Sequence, residues 1–239
     1  MSTERKVAIV TGASQGIGAG IVQAFRERNC RVVATSRTIK PSADADIIAL
    51  AGDVGAADTA EDVFNAALER FGRVDTLVNN AGMFMAKPFT AYTQDDYASY
   101  ISTNLTGFFN MTRRALELMG KQGHGHVITI TTSLVDQPMS SVPAALASLT
   151  KGGLNAATRA LAIEYARSGI RVNAVSPGII KTPMHPAEAY PALAALHPVG
   201  RMGEISDIVG AVLYLDGAGF VTGEVLHVDG GQAAGHHMP

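Results

Sequence analysis

Short runs rich in β-branched residues alternate along the chain with longer, Ala-rich amphipathic windows. The runs lie at 6–11, 31–36, 46–50, 75–79, 126–132, 170–175 and 224–228, and the helical windows lie near 16–29, 57–71, 93–120, 143–168 and 204–216. Nearly continuous apolar strands separated by helices are typical of a parallel sheet that is covered on both faces. The pattern predicts one α/β domain over residues 1–239, built on a doubly wound sheet.

Charge and cysteine content argue against several classes of function. With 19 Lys and Arg against 21 Asp and Glu, the chain has no polybasic field that would favour nucleic acid or an anionic membrane surface. Small-molecule partners are therefore expected, and no metal site is predicted. The single cysteine, Cys30, cannot form an intrachain disulfide, the opening "MSTERKVAIVTG" lacks a signal-peptide apolar region, and no run approaches the roughly 18 apolar residues of a membrane span. We expect a cytoplasmic protein.

A glycine-rich loop follows the first predicted strand and precedes the first helical window. It contains Gly12, Ser14, Gln15, Gly16, Ile17 and Gly18. At this place glycines allow a tight turn and a close approach of backbone N–H groups to a pyrophosphate, which also gains from the helix N-terminus. The alternative is a glycine-rich turn that binds nothing, but its position in a β-α unit favours a dinucleotide site.

Further motifs give the chain a family resemblance that covers nearly its whole length. They are T-G-x-x-x-G-x-G at 11–18, Asn79-Asn80-Ala81-Gly82, Asn104, "TTS" at 131–133, Lys151, "RVNAVSPGIIKT" at 171–182 and "TGEVLHVDGG" at 222–231. In these motifs the chain resembles the short-chain dehydrogenase/reductase (SDR) family. The resemblance implies a single-domain Rossmann fold with seven parallel strands in the order 3-2-1-4-5-6-7 and a nicotinamide dinucleotide across their carboxyl ends. It also implies a homotetramer, or a homodimer, assembled through the windows at 93–120 and 143–168 and the last strand.

The resemblance also implies which residues bind the cofactor. Besides the loop residues, they are Ser36, Arg37, Asp53, Val54, Asn80, Ala81, Gly82, Lys151, Pro177, Gly178, Ile180 and Thr182. Ser36 stands where NAD sites commonly have a carboxylate, and an arginine such as Arg37 can pair with the 2′-phosphate of NADP. NADP(H) is therefore favoured over NAD(H), although Gln15 stands where phosphate-selective relatives often carry a second basic residue. Arg37 as a solvated surface group and Asp53 as a plain turn residue are the alternatives.

The proton relay is where the chain departs from the family. Family members use a tyrosine whose pKa is lowered by a lysine four residues on, a serine that binds the substrate carbonyl and an asparagine that supports a water chain. Lys151 and Asn104 match, and the serine falls on Ser133 or Thr132, but Ala147 occupies the tyrosine position. We expect Ala147 to leave a space the size of a phenol beside Lys151. An engineered replacement is an alternative, although the surrounding small-residue run reads as a continuous native pattern.

Three interpretations of the missing tyrosine stay open: another donor, a reaction that needs no such acid, or cofactor binding without turnover. Candidate donors are Lys151, the hydroxyls of Thr132, Ser133 and Ser148, and His185, Tyr190 and His197. Residues 178–200 carry four prolines and weak periodicity, which predicts a lid with an apolar inner surface over the site. The leading prediction is an NAD(P)-dependent oxidoreductase that acts on a small carbonyl, alcohol or imine. The alternative is a non-catalytic dinucleotide-binding or scaffold protein.

Overall fold

A seven-stranded sheet forms the centre of the computed structural model, which describes residues 5–235. The strands are β1 (Val7–Thr11), β2 (Arg31–Ser36), β3 (Ile47–Ala51), β4 (Thr76–Asn79), β5 (Gly125–Ile130), β6 (Ile170–Pro177) and β7 (Val225–Val228). All neighbouring strands run parallel, in the order β3-β2-β1-β4-β5-β6-β7. The predicted fold class is confirmed. The ends of the predicted domain, residues 1–4 and 236–239, lie outside the described residues.

Helices cover both faces of this sheet. They are α1 (Gly16–Glu27), α2 (Ala57–Phe71), α3 (Gln94–Tyr100), α4 (Gly107–Gln122), α5 (Ala145–Tyr165), α6 (Tyr190–Ala194) and α7 (Ile205–Gly217). The window predicted at 93–120 is divided, because a π-helical turn at Ile101–Thr106 separates α3 from α4. Within residues 5–235, no helix combines the length and apolarity needed to cross a bilayer.

Alternation of side chains along the central strand divides the core into two layers. Val7 and Ile9 pack in the cluster that also contains Phe64 and Met111, on the face covered by α2 and α4. Ala8 and Val10 point the other way, into a cluster with side chains of α1 and α7. Successive strand residues face opposite sides of a sheet, so both faces of β1 are buried.

The chain reverses its direction of strand addition at β1, which pairs with β2 on one side and with β4 on the other. In open parallel sheets, the crevice for a ligand lies outside the carboxyl ends of the strands at such a switch point. The glycine-rich loop after β1 and the Asn80 segment after β4 therefore meet at one edge of the sheet. The segments after β5 and β6 continue the same edge.

Candidate active site

A cavity of about 680 Å³ runs along the carboxyl edge of the sheet. Its lining includes every residue that the sequence assigned to cofactor binding: Gly12, Ser14, Gln15, Gly16, Ile17, Gly18, Ser36, Arg37, Asp53, Val54, Asn80, Ala81, Gly82, Lys151, Pro177, Gly178, Ile180 and Thr182. Thr132 and Ser133 also line it. The volume is within the usual range of roughly 300–1,000 Å³ for small-molecule sites. Residues from six strand ends thus share one cavity, while their roles in binding stay predictions.

The conformation of the glycine-rich loop allows its backbone to come close to a ligand in the cavity. Gly12 has a φ of +63°, which side chains rarely adopt, and a Cβ at Gly18 would lie 2.3 Å from the Gly12 carbonyl oxygen. Asn80 braces the loop, because its Nδ2 donates to the carbonyl oxygens of Thr11 at 2.9 Å and Gly12 at 3.1 Å. Since α1 begins at Gly16, its N-terminal N–H groups face the cavity edge, which suits a pyrophosphate. The residues present therefore fit a dinucleotide.

The end of β2 offers a free cation and no carboxylate. Arg37 is exposed on the cavity wall, and its guanidinium has neither a hydrogen bond nor an ion pair within the described part of the chain. Asp53, after β3, accepts a hydrogen bond from the Gly55 N–H at 2.9 Å. Asp53 therefore acts as a turn residue and also lines the cavity, so its two interpretations do not exclude each other.

Lys151 projects from α5 into the cavity, whose wall it shares with Thr131 and Ser133. Its ammonium donates to the Thr131 carbonyl oxygen at 2.9 Å, and no carboxylate among residues 5–235 pairs with it. Burial lowers the pKa of Lys151 to about 8. An ammonium with this pKa can release a proton near neutral pH far more readily than an ordinary lysine.

The Ser133 hydroxyl has a partner that the sequence did not suggest. Buried Ser133 donates to Oε1 of Gln232 at 2.8 Å, and Gln232 lines the same cavity. The signal in the sequence was the pair Gly230-Gly231 after the last strand, since both residues have positive φ and turn the chain toward the carboxyl edge. Thr132 caps the short helix that begins at Ser133, with its hydroxyl accepting from the Leu134 N–H at 3.4 Å.

Asn104 does not line the large cavity. Its Oδ1 accepts from the Met83 N–H at 2.9 Å, and its Nδ2 donates to the Thr150 hydroxyl at 3.0 Å. It lines instead a small cavity of about 10 Å³ together with Lys151 and Thr129, whose buried hydroxyl finds no hydrogen-bond partner among residues 5–235. A volume of roughly 10–15 Å³ can hold one water molecule. The water chain through Asn104 stays a prediction, and the small cavity has the volume for one of its water molecules.

The space expected at Ala147 is absent, so that prediction was wrong. Ala147 is fully buried in an apolar cluster with Tyr100, Leu134 and Leu146, and it does not line the large cavity. The reason is that neighbouring apolar side chains pack directly against the small side chain of Ala147, as close packing of a protein core requires. Within residues 5–235 no tyrosine lines the cavity.

The nearby phenols have other partners. The Tyr100 hydroxyl accepts from the Met85 N–H at 2.6 Å, and the Tyr92 hydroxyl donates to the Met85 carbonyl oxygen at 2.6 Å. Burial raises the pKa of Tyr100 to about 12, which is unfavourable for an acid–base role near neutrality. Neither phenol lines the large cavity, so neither is placed to act as a proton donor there.

The other candidate donors divide into one that faces the cavity and three that do not. His185 lines the cavity, and burial lowers its pKa below the ordinary value. His197 does not: its Nε2 accepts from the Ile179 N–H at 2.9 Å while its Nδ1 donates to the Leu193 carbonyl oxygen at 3.0 Å, so it holds the lid segment, residues 178–200. Ser148 donates to the Leu134 carbonyl oxygen at 3.1 Å, and Tyr190 also lies outside the cavity lining. As donors, these three are corrected to structural or peripheral positions.

Fold and cavity together define a Rossmann-type protein built to bind a dinucleotide. The described residues contain no group of three or more His, Cys, Asp or Glu side chains arranged to hold a metal ion. A family model described as "Enoyl-(Acyl carrier protein) reductase" matches residues 12–233. The chain belongs to the short-chain dehydrogenase/reductase family.

Several similar proteins carry the name of an oxidoreductase or reductase. An uncharacterized oxidoreductase of Methylorubrum extorquens is 38% identical over 246 residues, covering 95% of this chain and 98% of that protein. The 3-oxoacyl-(acyl-carrier-protein) reductase FabG of Vibrio cholerae is 36% identical over 244 residues, covering 97% of this chain and 98% of FabG. The crystal structure of 3-ketoacyl-(acyl-carrier-protein) reductase from Brucella melitensis complexed with NADH has a TM-score of 0.90 at 28% identity, covering 97% of this chain and 100% of that chain. The structure of ElxO with NADP bound has a TM-score of 0.91 at 28% identity, with the same coverage of both chains.

Proposed function

We propose that this SDR oxidoreductase interconverts a small carbonyl compound and its alcohol with NADP(H), and that Lys151 passes the proton in place of the family's tyrosine. A bound nicotinamide dinucleotide supplies or accepts the hydride. The observation that carries the proposal is the position of Lys151 on the wall of the cavity that Ser133 and the residues assigned to the cofactor also line, with its ammonium on the Thr131 carbonyl oxygen and a pKa lowered to about 8. The named activities of the relatives favour an enzyme over the non-catalytic alternative.

In this scheme, reduction adds a hydride to the carbonyl carbon and a proton from the Lys151 ammonium to the oxygen. The neutral lysine then regains a proton from solvent. One water in the small cavity shared by Lys151, Asn104 and Thr129 would be a first relay for that proton, because the Thr129 hydroxyl, which has no partner within residues 5–235, offers it a hydrogen bond. A positioned acid contributes about 10²- to 10⁴-fold to such a step.

The names of two relatives support a choice of probe substrates. They describe a 3-oxoacyl-(acyl-carrier-protein) reductase and a dehydrogenase of a hydroxylated succinyl-CoA. We therefore choose acetoacetyl-CoA and 3-hydroxybutyryl-CoA as the probe pair. Other small ketones remain within the proposal, because the cavity wall also carries apolar side chains such as Phe84, Met184 and Leu193, which suit an apolar substituent on the carbonyl.

The test of turnover follows NADPH absorbance with acetoacetyl-CoA in wild type, Lys151→Met and Lys121→Met. Lys121 is exposed and distant from the cavity, so it controls for the loss of one lysine. We expect turnover in wild type and in Lys121→Met, and a loss of about 10²-fold or more in Lys151→Met. Tight cofactor binding by wild type without turnover of any carbonyl, alcohol or imine would favour the non-catalytic alternative instead.

The preference for NADP(H) rests on Arg37. Its free guanidinium stands at the end of β2, where Ser36 offers no carboxylate to the ribose, and it can make charge-assisted hydrogen bonds to a 2′-phosphate. Such bonds contribute about 1.5–3 kcal/mol, or roughly 10- to 100-fold in affinity. Titration should show that Arg37→Ala loses this affinity for NADPH and keeps its affinity for NADH. Arg28→Ala, at an exposed position away from the cavity, should change the affinity for neither cofactor. Equal affinities for the two cofactors, unchanged in Arg37→Ala, would refute the preference.

We further propose a homotetramer that works in the cytoplasm. Large apolar side chains are exposed on two long helices, with Phe109 on α4 and Leu149 and Ile163 on α5, and an exposed apolar surface of this kind favours association. The buried, unpaired thiol of Cys30 fits a reducing compartment.

A further inference from the structure

Gln232 joins three parts of the chain at the base of the large cavity. It is the first residue of a short helix, Gln232–Ala234, that follows β7 and its glycine pair. Asp229 fixes this turn, because its carboxylate accepts from the N–H groups of Gly231 at 2.9 Å and Ala233 at 2.7 Å. The Gln232 side chain, itself 4% exposed, reaches Ser133, which lies 99 residues earlier, and Leu196 of the lid segment.

The two bonds of the Gln232 amide determine its orientation. Its Nε2 donates to the Leu196 carbonyl oxygen at 3.1 Å, and a carbonyl oxygen can only accept. The Oε1 atom must therefore face Ser133, at 2.8 Å, and that oxygen can only accept as well. The single proton of the Ser133 hydroxyl is thus held by Gln232, so what Ser133 presents to the cavity is lone pairs.

We propose that Gln232 is a positioning residue that holds Ser133 as a hydrogen-bond acceptor, and that the site consequently favours the alcohol over the carbonyl form of its substrate. A substrate hydroxyl can donate to Ser133, whereas a substrate carbonyl can only accept and must find its donor elsewhere, at Lys151. The inference rests on the proposed carbonyl–alcohol reaction. It adds to that reaction a preference for binding the alcohol form, which Gln232 sets through Ser133.

Dead-end complexes test this without turnover. Calorimetry measures the affinity of 3-hydroxybutyryl-CoA for the protein saturated with NADPH, and of acetoacetyl-CoA for the protein saturated with NADP⁺. In Gln232→Met the Ser133 proton is released and can be donated to a ketone. The ratio of alcohol affinity to ketone affinity should then fall about 2- to 10-fold, the effect of one neutral hydrogen bond. Gln137→Met is the matched control, because Gln137 lies four residues after Ser133 in the chain. Within residues 5–235 its side chain forms no hydrogen bond, and it does not line the cavity.

Ser133→Ala gives a second measurement that does not depend on the folding of the Gln232 variant. An acceptor serine serves only the alcohol, so Ser133→Ala should weaken alcohol binding and leave ketone binding unchanged, and adding Gln232→Met should then have no further effect on the ratio. A ratio that Gln232→Met leaves unchanged, or ketone binding that is the more weakened in Ser133→Ala, would overturn the inference alone. Failure of wild type both to bind the two probes and to turn over any carbonyl or alcohol would instead reject the proposed reaction, and the preference with it.

Discussion

Introducing a phenol at the buried position 147, by Ala147→Tyr, should destabilise the protein rather than improve its activity. Ala147 is 0% exposed and packs with Tyr100, Leu134 and Leu146, so a phenol there has to displace side chains that are already in contact. Overpacking of a dense core costs typically about 1–3 kcal/mol. A chain of 150–250 residues loses about 2–4 °C of Tm per kcal/mol, so we expect a Tm lower by about 2–12 °C.

Thermal unfolding followed by circular dichroism measures this change, with two controls. Ala147→Phe adds nearly the same volume without a hydroxyl and should lower the Tm to a similar extent. Ala145→Tyr places the phenol at an exposed position of the same helix and should change stability by less than about 0.5 kcal/mol. If Ala147→Tyr instead kept the wild-type Tm and reduced acetoacetyl-CoA much faster than Ala147→Phe, the apolar cluster around Ala147 would have to open toward the cavity. That result would refute the argument that position 147 is too tightly packed for a phenol.

Three further predictions concern pH and assembly. With a Lys151 pKa of about 8, kcat/KM for carbonyl reduction should fall about tenfold per pH unit above pH 8, and Lys151→Arg, which keeps its proton, should lack this break in its pH profile. Burial lowers the pKa of His126 well below 6.5, so its contribution to the free energy of unfolding is present above pH 6.5 and is lost as the pH falls; urea unfolding between pH 5 and 8 should show this slope, reduced in His126→Asn. Light scattering should give a tetramer, and Phe109→Glu should give a smaller species; a monomeric wild type would contradict the assembly.

The sheet and the lining of the large cavity were predictable because local rules determine them. The period of apolar residues distinguishes buried strands such as β1 from the helices between them, and parallel strands necessarily bring their carboxyl ends to one edge. Loops that follow those ends, including Gly12, Arg37 and Thr182, consequently had to share a site. The resemblance supplied the strand order, which short-range periodicity cannot give.

Contacts between distant side chains could not be predicted in the same way. The expected space at Ala147 depended on whether Tyr100 and Leu134, from other elements, would pack over it, and a motif carries no such information. His197 was considered as a proton donor because of its type and its segment, but backbone groups of Ile179 and Leu193 use both of its ring nitrogens. The bond from Ser133 to Gln232 spans 99 residues and depends on the turn after β7.

The titratable side chains that line the cavity include one that suits a proton donor near neutral pH. The Ser133 proton is held by Gln232, and the phenols of Tyr92 and Tyr100 are engaged with Met85. Of the titratable side chains that line the cavity, Arg37 and Asp53 lie after β2 and β3, away from β5 and α5, which leaves His185 and Lys151. Burial lowers the pKa of both, but with opposite consequences near neutral pH: His185 is neutral there and suits a base, while Lys151, with a pKa of about 8, is still mostly protonated and suits an acid. If His185 were the acid, the rate of reduction would fall as the pH rises through the pKa of His185, which lies below 6.5. If Lys151 is the acid, the rate should fall only above pH 8, so the pH at which the rate begins to fall distinguishes the two groups.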